Sequence, residues 1–165
     1  GFAGLMNAYN AQRVGAATVA LGIARGAYET ARDFLKEREQ FGRPIAEFQG
    51  LQWIVADMAI QIDAARLMVW RAAQSADMTD SGFPDPHLAA QAKIFASETA
   101  VKVSNDALQL HGARGYSRRN PVERMLRDAR MFTIGGGTAQ MLRNLVAGKI
   151  LEMKTPQTRG GYMKS

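Results

Sequence analysis

Small and apolar residues recur at Val14, Ala17, Leu21, Ala24, Tyr28, Ala31 and Leu35, in alternating steps of three and four. That spacing is one face of a long α-helix, predicted to run to about Lys36. Gly15, Gly22 and Gly26 lie in the same stretch. Each lowers helix propensity, so either ordinary helix packing or the approach of another backbone or a flat ligand accounts for them. Arg38 to Pro44 breaks the pattern with Gly42 and Pro44. Leu51, Val55, Met58, Ile62, Ala65, Val69 and Ala72 then mark a second helix, expected to be an antiparallel neighbour of the first.

Residues Asp77 to Pro86 have loop composition, and a third helix is predicted from near His87 with Leu88, Ala92, Phe95, Thr99, Val103, Ala107 and Leu110 inward. Gly112 and Gly115 end it. Pro121 to Arg130 reads as a short helix, Gly135-Gly136-Gly137 as a tight loop, and Ala139 to Met153 as the last helix. Residues 155–165 read as a frayed tail. Four principal helices and no convincing strand predict an all-α, up-and-down four-helix bundle over residues 1–154.

The chain of 165 residues is sized for one core, and 47% hydrophobic with 22% charged residues is ordinary globular composition. No apolar run is long enough to span a bilayer, and the first residues lack the basic segment of a targeting signal. Without cysteine there are no thiolate metal sites, and His87 and His111 alone do not make a zinc site. The net charge of +6 invites a nucleic-acid reading. The arginines are dispersed, however, and the densest run, Arg114 to Arg130, contains Glu123 and Asp128, so no nucleic-acid partner is expected; a phosphate-bearing cofactor accounts for part of the same excess.

Three segments carry a resemblance. They are Arg38-Glu39-Gln40-Phe41-Gly42-Arg43-Pro44-Ile45 with Phe48-Gln49, then Gln109-Leu110-His111-Gly112-Ala113-Arg114-Gly115-Tyr116, and finally Ile134-Gly135-Gly136-Gly137-Thr138-Ala139-Gln140. In this order they resemble the C-terminal helical domain of the acyl-CoA dehydrogenase family, with Pro121-Val122-Glu123-Arg124 and Leu126-Arg127-Asp128-Ala129 falling between the last two. The resemblance implies a three-domain subunit whose N-terminal helical and middle β-domains are absent from this chain. It implies assembly as a homotetramer, a dimer of dimers, with FAD held between domains and across a subunit boundary. An isolated domain would then be inactive. It further implies an acyl-CoA substrate, an electron acceptor such as electron-transfer flavoprotein, and a cytoplasmic or mitochondrial-matrix setting.

By the same resemblance Arg38, Gln40, Phe41 and Gln49 reach the flavin dinucleotide, Gln109 and Gly112 lie along its phosphate and ribose, and Thr138 and Gln140 contact it. A guanidinium offers phosphate a planar fork of donors, and a glycine permits close backbone approach. The ordinary alternatives are a solvated helix-end cation for Arg38, a core aromatic for Phe41, a helix terminator for Gly112 and an N-cap for Thr138. His111 reads as a core or cap histidine. Tyr9, Asn10 and Arg13 align with the segment that contacts CoA in relatives, where Asn10 replaces the usual acid; a solvated arginine is the alternative for Arg13.

Acyl-CoA dehydrogenases remove a proton α to the thioester with a glutamate. The resemblance puts that base at Gly136 or, in other members, at Gln12, and neither residue can take a proton. Small residues at Gly135 and Gly136 imply a widened acyl pocket that counts Gly136 among the substrate contacts. Three explanations follow: a base from elsewhere, a reaction needing no α-proton abstraction, or a substitution made at Gly136 to trap substrate. The first predicts an FAD-dependent dehydrogenase that desaturates an acyl-CoA at its α,β-bond. The second predicts a flavin-containing acyl-CoA lyase of the desulfinase type. A non-enzymatic helical interaction module is the reading from a different class.

Overall fold

Alanine dominates the contact faces, and this brings the helix axes close together. In the computed structural model, which describes residues 2–153, the helices are α1 (Phe2–Glu37), α2 (Gln49–Gln74), α3 (Pro86–His111), α4 (Pro121–Phe132) and α5 (Ala139–Ile150). The chain is the expected all-α bundle. Ala17, Ala20, Ala24, Ala27 and Ala31 of α1 are completely buried, as are Ala89, Ala92, Ala96, Ala100 and Ala107 of α3.

Two apolar clusters fix the directions. Val14 and Ala17 pack with Ala65, Val69 and Ala72 near the end of α2 and with Ala89, Ala92 and Ala96 early in α3. Ala24, Ala31 and Leu35 pack with Met58 and Ile62 early in α2 and with Val103, Ala107 and Leu110 late in α3. So α2 is antiparallel to α1, while α3 runs parallel to α1 and touches every other helix. Helices α4 and α5 close the far side through Val122 and Ala129, and through Ala139 and Leu142.

The helix starts follow local chemistry. Asp85 accepts hydrogen bonds from the His87 and Leu88 amides at 2.9 Å with Pro86 in the first turn, and Asn120 caps Pro121 by accepting from the Val122 amide at 3.1 Å.

Several expectations are corrected. The last helix ends at Ile150 rather than Met153: the Met153 amide donates to the Gly148 carbonyl at 3.1 Å around Glu152 at φ 54°, a helix closure that places a non-glycine residue in the left-handed region. The proposed tail lies outside the described residues. The chain also contains a minimal antiparallel pair, β1 (Glu39–Gln40) and β2 (Arg43–Pro44), where no strand was expected. Leu88 and Phe95 pack against the core as expected, though only half-buried, and because α3 is covered on several sides its buried surface extends beyond the expected stripe to Lys93, Ser97 and Ser104. A methyl group on Gly15 or Gly22 would meet nothing within 4 Å, so no other backbone of the described chain closes on them.

Gly115 is different. A Cβ there would stand 2.7 Å from the Leu108 carbonyl oxygen and 2.8 Å from His111 Cβ, both parts of the rigid end of α3. Gly115→Ala should therefore destabilise the protein by about 1–3 kcal/mol, the usual cost of overpacking, seen as a lower urea midpoint. An unchanged midpoint would show that the turn after α3 has room to yield.

Candidate functional site

The C-terminal ends of α1 and α3 lie side by side because the two helices are parallel and similarly packed. Between them opens a cleft of about 280 Å³ lined by Phe34, Arg38, Gln40, Ile45, Gln109, Leu110, His111, Gly112, Ala113 and Arg114. Four sequence-derived candidates, Arg38, Gln40, Gln109 and Gly112, thus share one cleft. Gly112 caps α3 at φ 56°, ψ −138°, a conformation open to glycine, and a Cβ there would meet nothing within 4 Å. The cleft wall is rigid: His111 is buried, stacks on Phe34 with centroids 4.3 Å apart, and its Nδ1 lies 2.7 Å from the Ala107 carbonyl oxygen, to which it donates. His111 is accordingly a core histidine.

Beside the cleft, β1 and β2 form a hairpin whose central residues, Phe41 at φ 53° and Gly42 at φ 75°, are both left-handed as a tight hairpin turn requires. Phe41 is 92% exposed, which corrects the core-aromatic alternative; its ring meets only the edge of Phe48, at 6.0 Å between centroids. Phe41 is thus held outward on a turn whose left-handed backbone a non-glycine residue seldom adopts. Gln49 begins α2, is exposed and does not line the cleft.

The other candidates gather about one long helix away. Gln12 precedes Arg38 by 26 residues in the numbering, about 39 Å at 1.5 Å per residue. Here Gly136, at φ 71°, faces Gln12: a Cβ on Gly136 would lie 3.3 Å from Gln12 Oε1. Thr138 is the N-cap of α5, accepting from the Met141 amide at 3.2 Å, and Gln140 is exposed on its first turn. Tyr9 is exposed on α1, whereas Asn10 is buried. Arg13 is only 8% exposed, which corrects the solvated alternative; its Nη1 donates to Asn10 Oδ1 at 2.9 Å while its Nε, also buried, has no partner.

Lys93 was missed by the sequence reading. It is fully buried and its Nζ donates to the Gly137 carbonyl at 2.7 Å, tying the loop before α5 to the middle of α3. The signal was present: Lys93 sits at helical spacing within the small-residue set Ala89, Ala90, Ala96, Ser97 and Ala100, where a long solvated side chain has no place. Burial, and then the charge of Arg13, holds its amine below the ordinary lysine range. Burial likewise lowers Arg13.

The chain belongs to the acyl-CoA dehydrogenase family: the model described as "Acyl-CoA dehydrogenase, C-terminal domain" matches residues 1–151. It is 67% identical over 163 residues to 3-sulfinopropanoyl-CoA desulfinase of Cupriavidus necator, covering 99% of this chain and 40% of that protein. It is 70% identical over 159 residues to the Paraburkholderia xenovorans desulfinase, covering 96% of this chain and 40% of the relative. Butyryl-CoA dehydrogenase from Megasphaera elsdenii superposes with a TM-score of 0.82 at 39% identity, covering 87% of this chain and 37% of that structure. The chain thus spans about two fifths of the length of these curated relatives. No helix among the described residues is long and apolar enough to cross a membrane.

The lowered Lys93 pKa has a definite sign. Between its depressed value and the ordinary 10.5, the unfolded chain binds more protons than the folded one, so this group's contribution to stability rises with pH. Below that window the full burial cost remains. The wild-type protein should therefore gain stability relative to Lys93→Met as pH rises towards the ordinary lysine value of 10.5, read from urea midpoints. Parallel pH profiles would contradict a depressed amine.

Proposed function

We propose that this chain is the C-terminal helical part of an FAD-dependent enzyme acting on a CoA thioester, and that the reaction is loss of sulfite from 3-sulfinopropanoyl-CoA. The observation that carries the reading is the pairing of Gly136 with Gln12 where a base would stand. It is supported by identities of 67% and 70% to two desulfinases over nearly the whole chain. The α,β-desaturation expected first from the sequence needs a base that neither residue supplies. Sulfite loss does not: the C–S bond breaks, the carbon takes a proton, and oxygen from water joins sulfur, so that R–SO2⁻ and H2O give R–H and HSO3⁻. No external acceptor such as electron-transfer flavoprotein is consumed.

Open space above Gly112 and the Arg38 side chain in the cleft wall support a phosphate-bearing part of a dinucleotide cofactor here. Arg38, Gln40, Gln109 and Gly112 would hold phosphate and sugar, and the exposed Phe41 would flank them. FAD, when bound, supplies a ring able to take up and return an electron pair. At the other cluster Thr138 and Gln140 would meet the flavin of that site, while Tyr9 and Asn10 border the acyl-CoA. Gln12 offers hydrogen bonds and leaves the α-protons in place. The two clusters stand about 39 Å apart along α1, farther than one extended flavin dinucleotide reaches, so we take each cradle to be completed by a second copy within a homotetramer. On this reading the chain alone is inactive, and its bacterial relatives favour a cytoplasmic setting over a mitochondrial one.

The full-length protein should be isolated with FAD and release sulfite from 3-sulfinopropanoyl-CoA without an electron acceptor; strict dependence on an acceptor dye would sink the desulfinase reading. Gln12→Glu restores a carboxylate without changing the shape of the side chain, whereas a side chain on Gly136 meets both its positive φ and Gln12. Gln12→Glu should raise acceptor-dependent oxidation of propanoyl-CoA by roughly a hundredfold or more over wild type, the lower range for a positioned base. No gain would show that the pocket no longer presents the α-carbon to this position.

A further inference from the structure

Helix α2 is apolar on two sides. Met58, Ile62, Ala65, Val69 and Ala72 face the core. On the opposite side Trp53, Ala56, Ile60, Asp63, Leu67 and Trp70 recur in alternating steps of three and four, the spacing of a seam between two paired helices. Trp53, Ile60, Leu67 and Trp70 are each 62% to 65% exposed, so no other element of the described chain closes over them. Asp63 is the only charged member of the row, and its carboxylate is ion-paired with Arg66 of the same helix. The row is about 25 Å long at 1.5 Å per residue. Large apolar side chains gathered in one continuous strip, unlike the single ones that any surface carries, mark a docking surface.

The edge of the row says what covers it. Asp57, Ala64 and Arg71 recur there every seven residues, and the side chains of Asp57 and Arg71 make no ion pair or hydrogen bond among the described residues. They stand about 21 Å apart along the helix, too far to meet each other. Read backwards, this edge is its own complement. When a second α2 lies antiparallel about a two-fold axis at Ala64, Asp57 meets the partner's Arg71 at both ends, and the small alanines let the helices approach between them. Ile60, Leu67 and Trp70 of both helices then gather in the middle. A parallel pairing would hold the opposite charges about 21 Å apart. We propose that copies of this chain associate through an antiparallel, two-fold pairing of α2 along Trp53, Ile60, Leu67 and Trp70. Such a contact is closed, so it joins two copies and stops. It names one interface of the homotetramer proposed above, and rests on that reading for the presence of a second copy.

The other cover for the row is the part of the same subunit that lies outside this chain. Sedimentation of the full-length holoprotein over a concentration series separates the two. Asp57 and Arg71 are exposed, so exchanging their charges leaves the fold intact. Asp57→Arg brings two guanidinium groups together at each end of the seam and should move dissociation to roughly tenfold or more higher protein concentration, the scale of opposed like charges. Arg71→Asp should do the same. The double variant, with both signs reversed, should return most of the lost association. Leu67→Glu, in the middle of the row, should dissociate the protein at least as far as either single exchange. A monomeric wild type, an Asp57→Arg variant that associates as well as wild type, or a double variant no better than the singles overturns the pairing. Loss of FAD from these variants at unchanged mass also overturns it, because the row is then covered from within the subunit. Sulfite release is scored separately: release by a protein whose mass ignores the exchanges defeats the pairing alone, and the expected masses without release uphold the pairing and defeat the desulfinase reading.

Discussion

The rest of the structure depends on the alanine seam between α1 and α3. With Ala17, Ala20, Ala24, Ala27 and Ala31 meeting a helix that buries Ala89, Ala92, Ala96, Ala100 and Ala107, the backbones approach closely and few side-chain rotamers are left to adjust. A parallel pair locked in this way puts like ends together. The C-terminal ends make the cleft of Arg38 and Gly112; the first halves make the cluster of Gln12, Arg13 and Lys93. Neither group of residues is near in sequence, and both are set by one packing constraint.

That constraint explains which features could be read from the chain and which could not. The faces of α1 and α2 follow directly from the recurrence of small and apolar residues, because each has one buried stripe. Helix α3 departs from this rule since it is surrounded, and the single stripe expected of it, though packed inward, passes over Ala96, Ser97 and Lys93. The hairpin escaped notice because two residues per strand carry no alternation. The end of α5 was placed too late because Glu152 adopts a conformation usually left to glycine. At the site, Arg38, Gln40, Gln109 and Gly112 converge as their motifs imply. Arg13 was weighed as a surface cation because local sequence does not reveal what lies across a helix interface.

The glycine loop before α5 shows how scaffold and chemistry separate. Lys93 anchors the loop through the Gly137 carbonyl, and Thr138 caps the helix that follows, so the backbone path is fixed without any side chain at Gly136. Such a loop can lose a base and keep its shape. Against it stands Gln12, whose amide preserves the bulk and polarity of an acid while giving up its basicity. On the proposed reading, a reaction that leaves the α-proton alone is the chemistry this pair permits.

Charge has to be read by its surroundings rather than its sum. Arg25 with Glu29, Lys102 with Asp106 and Arg127 with Glu123 are exposed pairs one helical turn apart, and pairs of this kind contribute little to stability and confer no specificity. Arg13 and Lys93 differ in kind, because both are buried and no acid of the described chain pairs with either. The net charge of +6 is therefore a poor guide to what this protein binds.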